Sequence, residues 1–151
     1  MGLKKLFIDK SNSTAVQFFR YIFVGGGATA VHWGLLLFKE LAGLDANLAN
    51  AIGFVGGLIC NYVISTYWVF EASSIKNKGV EFTAFAVIGV VGLGINQAII
   101  WLFDKPLARN VAFGSLMPAD KYYIAGQVLA TAVAFFWNFF ARKYLLYNKK
   151  G

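Results

Sequence analysis

The sequence predicts an all-α membrane protein in which four transmembrane helices form two helical hairpins. Three observations support this fold class. First, 58% of the 151 residues are hydrophobic and only 14% are charged, which is more apolar surface than a soluble domain of this length can bury. Second, four long stretches are nearly free of charge. Third, the second half of the chain repeats the residue spacing of the first half.

The four charge-poor stretches are each long enough to cross a bilayer. A helix rises about 1.5 Å per residue, so about 20 apolar residues cross about 30 Å of hydrocarbon. The stretches cover about residues 17–38, 47–70, 82–103 and 122–146. We therefore predict a single membrane domain over residues 1–151 that contains four spans.

An internal repeat relates about residues 17–70 to about residues 82–147. At a shift of 64 residues, Tyr21, Gly25, Ala28 and His32 pair with Phe85, Gly89, Gly92 and Asn96. At a shift of 77 residues, Asn61 and Ser65 pair with Asn138 and Arg142. Each hairpin contains an even number of spans, which predicts a parallel repeat with its pseudo-axis along the membrane normal.

The distribution of basic residues predicts the orientation in the membrane. Ten of the 14 lysines and arginines flank one side of the spans, and the other four are Lys39, Lys105, Arg109 and Lys121. The positive-inside rule then places both termini in the cytoplasm. Because the charges flank apolar spans, they indicate contact with anionic lipid and argue against a nucleic-acid partner.

Several functional classes are disfavoured by what the sequence lacks. It contains no His, Cys, Asp or Glu cluster with metal-ligand spacing, and no nucleophile with a base at a fixed offset, so we predict no enzyme, catalytic residue, metal or cofactor. All seven carboxylates lie outside the spans or at their edges. This weakens the alternative of a small four-helix multidrug-type exporter driven by protons, which needs a carboxylate inside the membrane.

Two asparagines interrupt apolar runs in which small residues recur at every fourth position. Asn61 lies in "AIGFVGGLICNYVIS" and Asn138 lies in "VLATAVAFFWNFFAR". A carboxamide between helices can be a packing contact that contributes about 0.6 to 2 kcal/mol, or it can bind a ligand. Both interpretations remain open, and the same holds for His32 and its repeat partner Asn96.

The segments "RYIFVGGGATAVHW", "NYVISTYWVF" and "NFFARKYLLY" resemble the GtrA-like family of small four-span bacterial membrane proteins. The resemblance covers nearly the whole chain. It implies that a sugar carried on a polyprenyl phosphate, such as undecaprenyl phosphate, is flipped across the cytoplasmic (inner) membrane. On the far side of the membrane, the lipid-linked sugar would be used by membrane glycosyltransferases in cell-surface polysaccharide synthesis or glycosylation.

The sequence departs from the family pattern at two places. His32 stands where the family often has an acidic residue. Ser65 and Thr66 stand where two basic residues often follow the first asparagine motif. Arg142 and Lys143 are then the remaining basic pair of this kind.

The resemblance and the residue types together suggest which residues bind the substrate. Arg20, Arg142 and Lys143 lie toward the cytoplasmic ends of their spans and are candidates for the phosphate, although they could instead only fix topology. The candidates for the sugar or headgroup are His32, Asn61, Asn96 and Asn138, and His32 could also be a titrating gate. Four short helices enclose little volume, which predicts a homo-oligomer. A non-catalytic scaffold for a glycosyltransferase remains an alternative function.

Overall fold

The computed structural model describes residues 3–9, 11–43, 46–70, 73–104 and 119–148. These residues form helices and connecting turns, and no strand occurs among them. They fall into two compact units, one within residues 1–82 and 146–151 and the other within residues 83–145. The all-α prediction is therefore confirmed for the part of the chain that the structure describes.

Four long helices account for the four predicted spans. The charge pattern did not predict the short helix that precedes them or the π turn that extends the third. The elements are α1 (Leu3–Phe7), α2 (Thr14–Ala42), α3 (Ala46–Ile64), the π turn (Ser65–Val69), α4 (Lys78–Asp104) and α5 (Ala119–Leu145).

The long helices are of membrane-spanning length. Three segments are long and apolar enough to cross a membrane: Ala51–Val69, Lys78–Phe103 and Ile124–Leu145. The fourth helix, α2, has 29 residues, more than the about 20 that a span requires. The chain is therefore a multi-pass, four-helix membrane protein. The extents of the two repeats and their parallel orientation stay predictions.

In the first unit, α2 packs along α3. Tyr21, Val24 and Ala28 form the buried face of α2. On α3, a Cβ atom at Gly56 would lie 2.7 Å from Cδ1 of Leu35. The absence of a side chain at Gly56 therefore allows the two helices to approach closely, as small residues do in membrane helix pairs.

Aromatic rings tie both ends of the chain to the segment around the π turn. The rings of Phe7 and Trp68 stack with centroids 6.4 Å apart, and the Trp68 indole Nε1 donates to the Phe7 carbonyl oxygen at 2.7 Å. Tyr147 stacks on Phe70 with centroids 4.6 Å apart. Residues at the end of the second predicted span therefore contact segments that are far away in sequence.

In the second unit, α4 and α5 pack through small residues and one tryptophan. Ala130 and Ala134 are buried on α5. A Cβ atom at Gly126 would lie 2.6 Å from the Cβ atom of Phe103. The Trp137 indole Nε1 donates to the backbone oxygen of Ile88 at 3.2 Å. These contacts pack α4 against α5 near Arg142, the residue of α5 that is predicted to bind the phosphate.

Candidate functional site

Arg142 lies in the last turn of α5 and is only 3% exposed. Its guanidinium carbon is 3.5 Å from the centroid of the Phe85 ring on α4, a cation–π contact. Its Nη2 atom lies 3.3 Å from the point where a Cβ atom on Gly89 would be. The guanidinium therefore lies over Phe85 and Gly89 of α4. Both residues belong to the helix face that the repeat spacing identified.

Asn138 lies one turn before Arg142. Its Nδ2 donates to the Ala134 backbone oxygen at 2.8 Å, and its carboxamide rests on Gly92 so closely that a Cβ atom there would overlap Nδ2. Its Oδ1 is buried and accepts no hydrogen bond from the residues that the structure describes. This oxygen can accept a hydrogen bond from a bound group, whereas the nitrogen is already engaged.

Asn61 has a different environment on α3. Its Oδ1 accepts a hydrogen bond from the Ser65 hydroxyl at 3.1 Å, and Ser65 is 0% exposed. The π turn begins at Ser65 and closes with a hydrogen bond from the Phe70 N–H to the Ser65 oxygen at 2.9 Å. Segments of π-helix are frequent at functional sites, but here the asparagine oxygen is engaged within its own helix.

Arg20 is buried on α2, and its guanidinium donates to three backbone carbonyl oxygens. These belong to Leu6 at 2.7 Å, Trp68 at 3.0 Å and Asp9 at 2.5 Å. The guanidinium carbon also lies 5.7 Å from the Trp68 ring. Arg20 therefore connects the N-terminal segment to the π turn within the first unit. Its predicted phosphate role stays a prediction.

The remaining candidates are spread along the helices. Lys143 follows Arg142 and is half-buried, and Asn96 is half-buried on α4. His32 lies on α2, but its side chain falls outside the described residues. Within the described ranges, no group of three His, Cys, Asp or Glu side chains could hold a metal ion. The structure thus brings Arg142 and Asn138 together on adjacent turns of one helix, above the same face of α4.

No functional role was predicted for Glu81, because its position in the sequence lies at the edge of a span. The structure buries this side chain completely in the first turn of α4, where Lys78 pairs with it at 2.7 Å. A signal was present: Glu81, Phe85, Ile88 and Gly92 are spaced 4, 3 and 4 apart, the same spacing as the buried face of a helix.

Comparison with known protein families identifies the chain. No solved structure matches it. A family model described as "GtrA/DPMS, transmembrane domain" matches residues 20–147, a range that contains α3, α4 and α5, the part of α2 from Arg20 onward, and every candidate residue named above. The chain is therefore a member of the GtrA/DPMS transmembrane-domain family.

Proposed function

We propose that this protein flips a polyprenyl-phosphate-linked sugar across the cytoplasmic membrane for cell-surface polysaccharide synthesis or glycosylation. The observation that carries this proposal is the buried guanidinium of Arg142 on the Phe85 ring, with the Asn138 carboxamide one turn away. A planar guanidinium can bind a phosphate through two parallel hydrogen bonds. A buried cation in a membrane helix is costly and indicates function.

The three parts of such a lipid have different requirements, and the chain offers groups of each kind. The polyprenyl tail can stay in the bilayer, beside exposed apolar side chains such as Phe136 and Phe140 on α5. The phosphate requires cations, which Arg142 and the half-buried Lys143 supply. The hydroxyl groups of the sugar are donors, and the buried Oδ1 of Asn138 is an acceptor.

This function requires no chemical step, so we propose that the protein is not an enzyme. Its partners would be the lipid-linked sugar, membrane lipid and a membrane glycosyltransferase, and the protein would act as a homo-oligomer in the inner membrane. We propose that both termini face the cytoplasm, because most basic residues flank that side. A cysteine placed at the exposed Asn77 in a Cys60→Ser background should then be protected from impermeant reagents in intact cells.

The test is reconstitution of the purified protein alone into vesicles that contain a fluorescent short-chain polyprenyl-phosphate sugar. An impermeant reductant quenches only the lipid in the outer leaflet, so flipping exposes the protected fraction. We expect wild-type protein to expose it and Arg142→Gln to slow exposure about 10- to 100-fold. Hydrogen bonds to charged groups contribute about 1.5 to 3 kcal/mol, and 1.4 kcal/mol is tenfold.

The matched control removes a positive charge elsewhere. Lys76 is exposed and outside the helices, so Lys76→Gln should flip lipid at the wild-type rate. Flipping that is equally fast with Arg142→Gln would overturn the role of Arg142. If folded wild-type protein exposes no lipid without a glycosyltransferase but supports glycan transfer in cells, the scaffold function replaces the flippase.

A further inference from the structure

Three aromatic side chains of α5, Phe136, Phe140 and Tyr144, form a row that we call the aromatic ladder. They are 48%, 38% and 55% exposed. The ring centroids lie 6.3 Å apart in the first pair and 6.1 Å apart in the second, and the ring planes deviate from parallel by 11° and 7°. Two residues along an α-helix turn a side chain by about 200°, so the ladder lies on nearly the opposite face of α5 from Asn138 and Arg142.

The middle ring of the aromatic ladder is held from inside the protein. Phe139 is 0% exposed, and its ring meets that of Phe140 edge-on, with centroids 5.1 Å apart and planes at 76°. The two outer rings stack on the middle one. An aromatic side chain rotates about only two χ angles, so it offers a large contact area at a small cost in conformational entropy. The ladder is therefore a well-ordered apolar surface.

The matching face of α3 has no such ladder. A shift of 77 residues pairs the ladder positions with Ile59, Val63 and Tyr67, and these three side chains are exposed as well. The repeat thus exposes the same positions in both helices, but two aliphatic residues on α3 take the place of two phenylalanines on α5. Aliphatic side chains are sufficient for contact with bulk lipid, so the row of rings on α5 needs another explanation.

A cation lies beside the C-terminal end of the aromatic ladder. Lys143 directly precedes Tyr144 and is half-buried, and residues three apart such as Phe140 and Lys143 are neighbours on a helix surface. Its repeat partner is the neutral Thr66. The Lys143 ammonium and the Tyr144 phenol are both hydrogen-bond donors. The apolar ladder therefore ends in one charged and one neutral donor, which complements a long apolar chain attached to an anionic phosphate.

The rings favour a polyprenyl chain over the acyl chains of ordinary phospholipids. An apolar surface alone selects no lipid, because lipid tails are as apolar as leucine and association in a membrane relies on packing and polar contacts. The double bonds of a polyprenyl chain do not rotate. Such a chain therefore loses less conformational freedom than a saturated chain when it is held against a fixed surface.

From this arrangement we infer that the aromatic ladder and Lys143 form a binding site for a polyprenyl-phosphate lipid, with the tail along the rings and the phosphate at the Lys143 ammonium. The choice of lipid rests on the proposed function, whereas binding at this face can be measured without flipping. The site is separate from the buried guanidinium of Arg142. A lipid bound there stays beside the helix that carries Arg142, which raises its local concentration near that residue.

Photo-crosslinking of the wild-type protein locates the lipid without any substitution. The full-length protein is reconstituted into vesicles of a zwitterionic phospholipid that contain a polyprenyl phosphate with a diazirine on its tail, and the labelled peptides are identified by mass spectrometry. We expect label on α5 within residues 136–144 and little on residues 59–67 of α3. Unlabelled polyprenyl phosphate should displace this label, and a saturated alkyl phosphate of the same carbon number should not. Equal labelling of the two helices would overturn the inference.

Leucine substitutions test the rings, because leucine keeps the surface apolar. The ladder variant combines Phe136→Leu, Phe140→Leu and Tyr144→Leu, and its matched control combines Ile59→Leu, Val63→Leu and Tyr67→Leu. Each lost ring contact should weaken binding of polyprenyl phosphate about 2- to 10-fold, and the control should bind as wild type does. Unchanged binding by the ladder variant, or an equal loss in the control, would contradict the role of the rings.

The phosphate contact is tested by changing one partner at a time. Lys143→Gln should weaken binding of polyprenyl phosphate about tenfold or more, because hydrogen bonds to charged groups are strong. It should leave the weaker binding of the uncharged polyprenol unchanged. Equal effects of Lys143→Gln on both lipids would mean that Lys143 does not contact the phosphate.

The remaining outcomes separate this site from the proposed function. Equal affinity for the saturated alkyl phosphate would make the face a general anionic-lipid contact, and cross-links between two copies through the ladder would make it an oligomer interface. Either result overturns the inference. Lipid bound at the ladder of a wild-type protein that flips none would uphold the site and refute flipping. Flipping by a protein whose ladder variant binds lipid normally would refute the site alone.

Discussion

The α2–α3 pair and the α4–α5 pair bury matching positions but place different chemistry there. On the first helix of each pair, the buried residues are Gln17, Tyr21, Val24 and Ala28 in one and Glu81, Phe85, Ile88 and Gly92 in the other. On the second helix they include Gly53, Gly57 and Ser65 in one and Ala130, Ala134 and Arg142 in the other. The repeated spacing therefore determines which positions are buried.

The two pairs differ in charge at these positions. Gln17 and Ser65 are neutral, whereas their repeat partners Glu81 and Arg142 are ionisable, and all four side chains are buried. Removing an ion from water costs several kcal/mol unless other groups compensate. Packing alone is satisfied by the neutral residues of α2 and α3. The ionisable residues of α4 and α5 are thus the ones that need a functional explanation.

The two buried arginines also differ between the two units. Arg20 in the first unit donates to backbone carbonyls from three separate parts of the chain, which is a structural role. Arg142 in the second unit lies on an aromatic ring, with its guanidinium carbon 3.5 Å from the Phe85 centroid, which is a cation–π contact. Arg20 therefore joins separate segments of the first unit, and Arg142 places a planar cation against a ring within the second unit.

The largest expected effect on stability follows from this difference. Arg20→Gln should lower the free energy of unfolding by about 3 kcal/mol or more, because three part-buried backbone carbonyls lose a charged donor and each hydrogen bond to a charged group contributes about 1.5 to 3 kcal/mol. Arg142→Gln removes the cation–π contact with Phe85, which contributes about 0.5 to 2 kcal/mol. Unfolding in detergent, followed by tryptophan fluorescence, measures both. Equal losses would remove the distinction between the two arginines.

Much of the fold could be predicted from the sequence. The predicted spans 47–70 and 82–103 overlap α3 with its π turn (Ala46–Ile64 and Ser65–Val69) and α4 (Lys78–Asp104), because about 20 apolar residues suffice for a membrane helix. The bounds of the spans stay predictions. The short helix α1 was not predicted. It has five residues and depends on docking against α2, which periodicity cannot show.

The candidate site was predicted less completely. The spacing on α5 placed Asn138 and Arg142 on one face, and the structure agrees. The partners of Arg20 could not be predicted, because the Trp68 carbonyl is 48 residues away and backbone acceptors carry no sequence signal. Glu81 was missed for a different reason: its position at a span edge suggested exposure, and only extension of the 4, 3, 4 spacing back to residue 81 predicts burial.

A smaller effect should separate two glycines on α4, Gly92 and Gly94. Gly92→Ala would press a methyl group against the Asn138 carboxamide, whereas a Cβ atom at Gly94 would meet nothing within 4 Å. Overpacking costs about 1 to 3 kcal/mol, but alanine is favoured over glycine in an open helix by about 1 kcal/mol. Gly92→Ala should therefore destabilise the protein, and Gly94→Ala should be neutral or stabilising.

Detergent unfolding of both glycine variants decides this point. The repeat partner of Gly92 is Ala28, so the α2–α3 pair already has a methyl group there. Tolerance of Gly92→Ala would mean that Asn138 can adopt another rotamer at no cost. The close contact between α4 and α5 at Gly92 would then not be what holds the carboxamide in place.

The smallest effects are expected at the asparagines themselves, where the two pairs should respond in opposite ways. Asn61→Ala removes the acceptor of the Ser65 hydroxyl and should lower stability by about 1 kcal/mol. Asn138→Ala removes an oxygen that accepts from no described residue and a nitrogen that donates to the Ala134 oxygen within its own helix, so stability should fall by no more than about 1 kcal/mol. Flipping should instead fall about 2- to 10-fold, as expected for one lost hydrogen bond of about 0.5 to 1.5 kcal/mol.

Two measurements on each variant make this comparison decisive: the flipping rate per folded protein in vesicles, and the amount of surface glycan per membrane protein in complemented cells. Because Asn61 and Asn138 occupy paired positions in the repeat and are both half-buried, each variant is the matched control for the other. Parallel loss of folded protein and flipping in Asn138→Ala would assign this asparagine to helix packing. Loss of flipping per folded protein in Asn61→Ala would show that the α2–α3 pair also contacts the substrate.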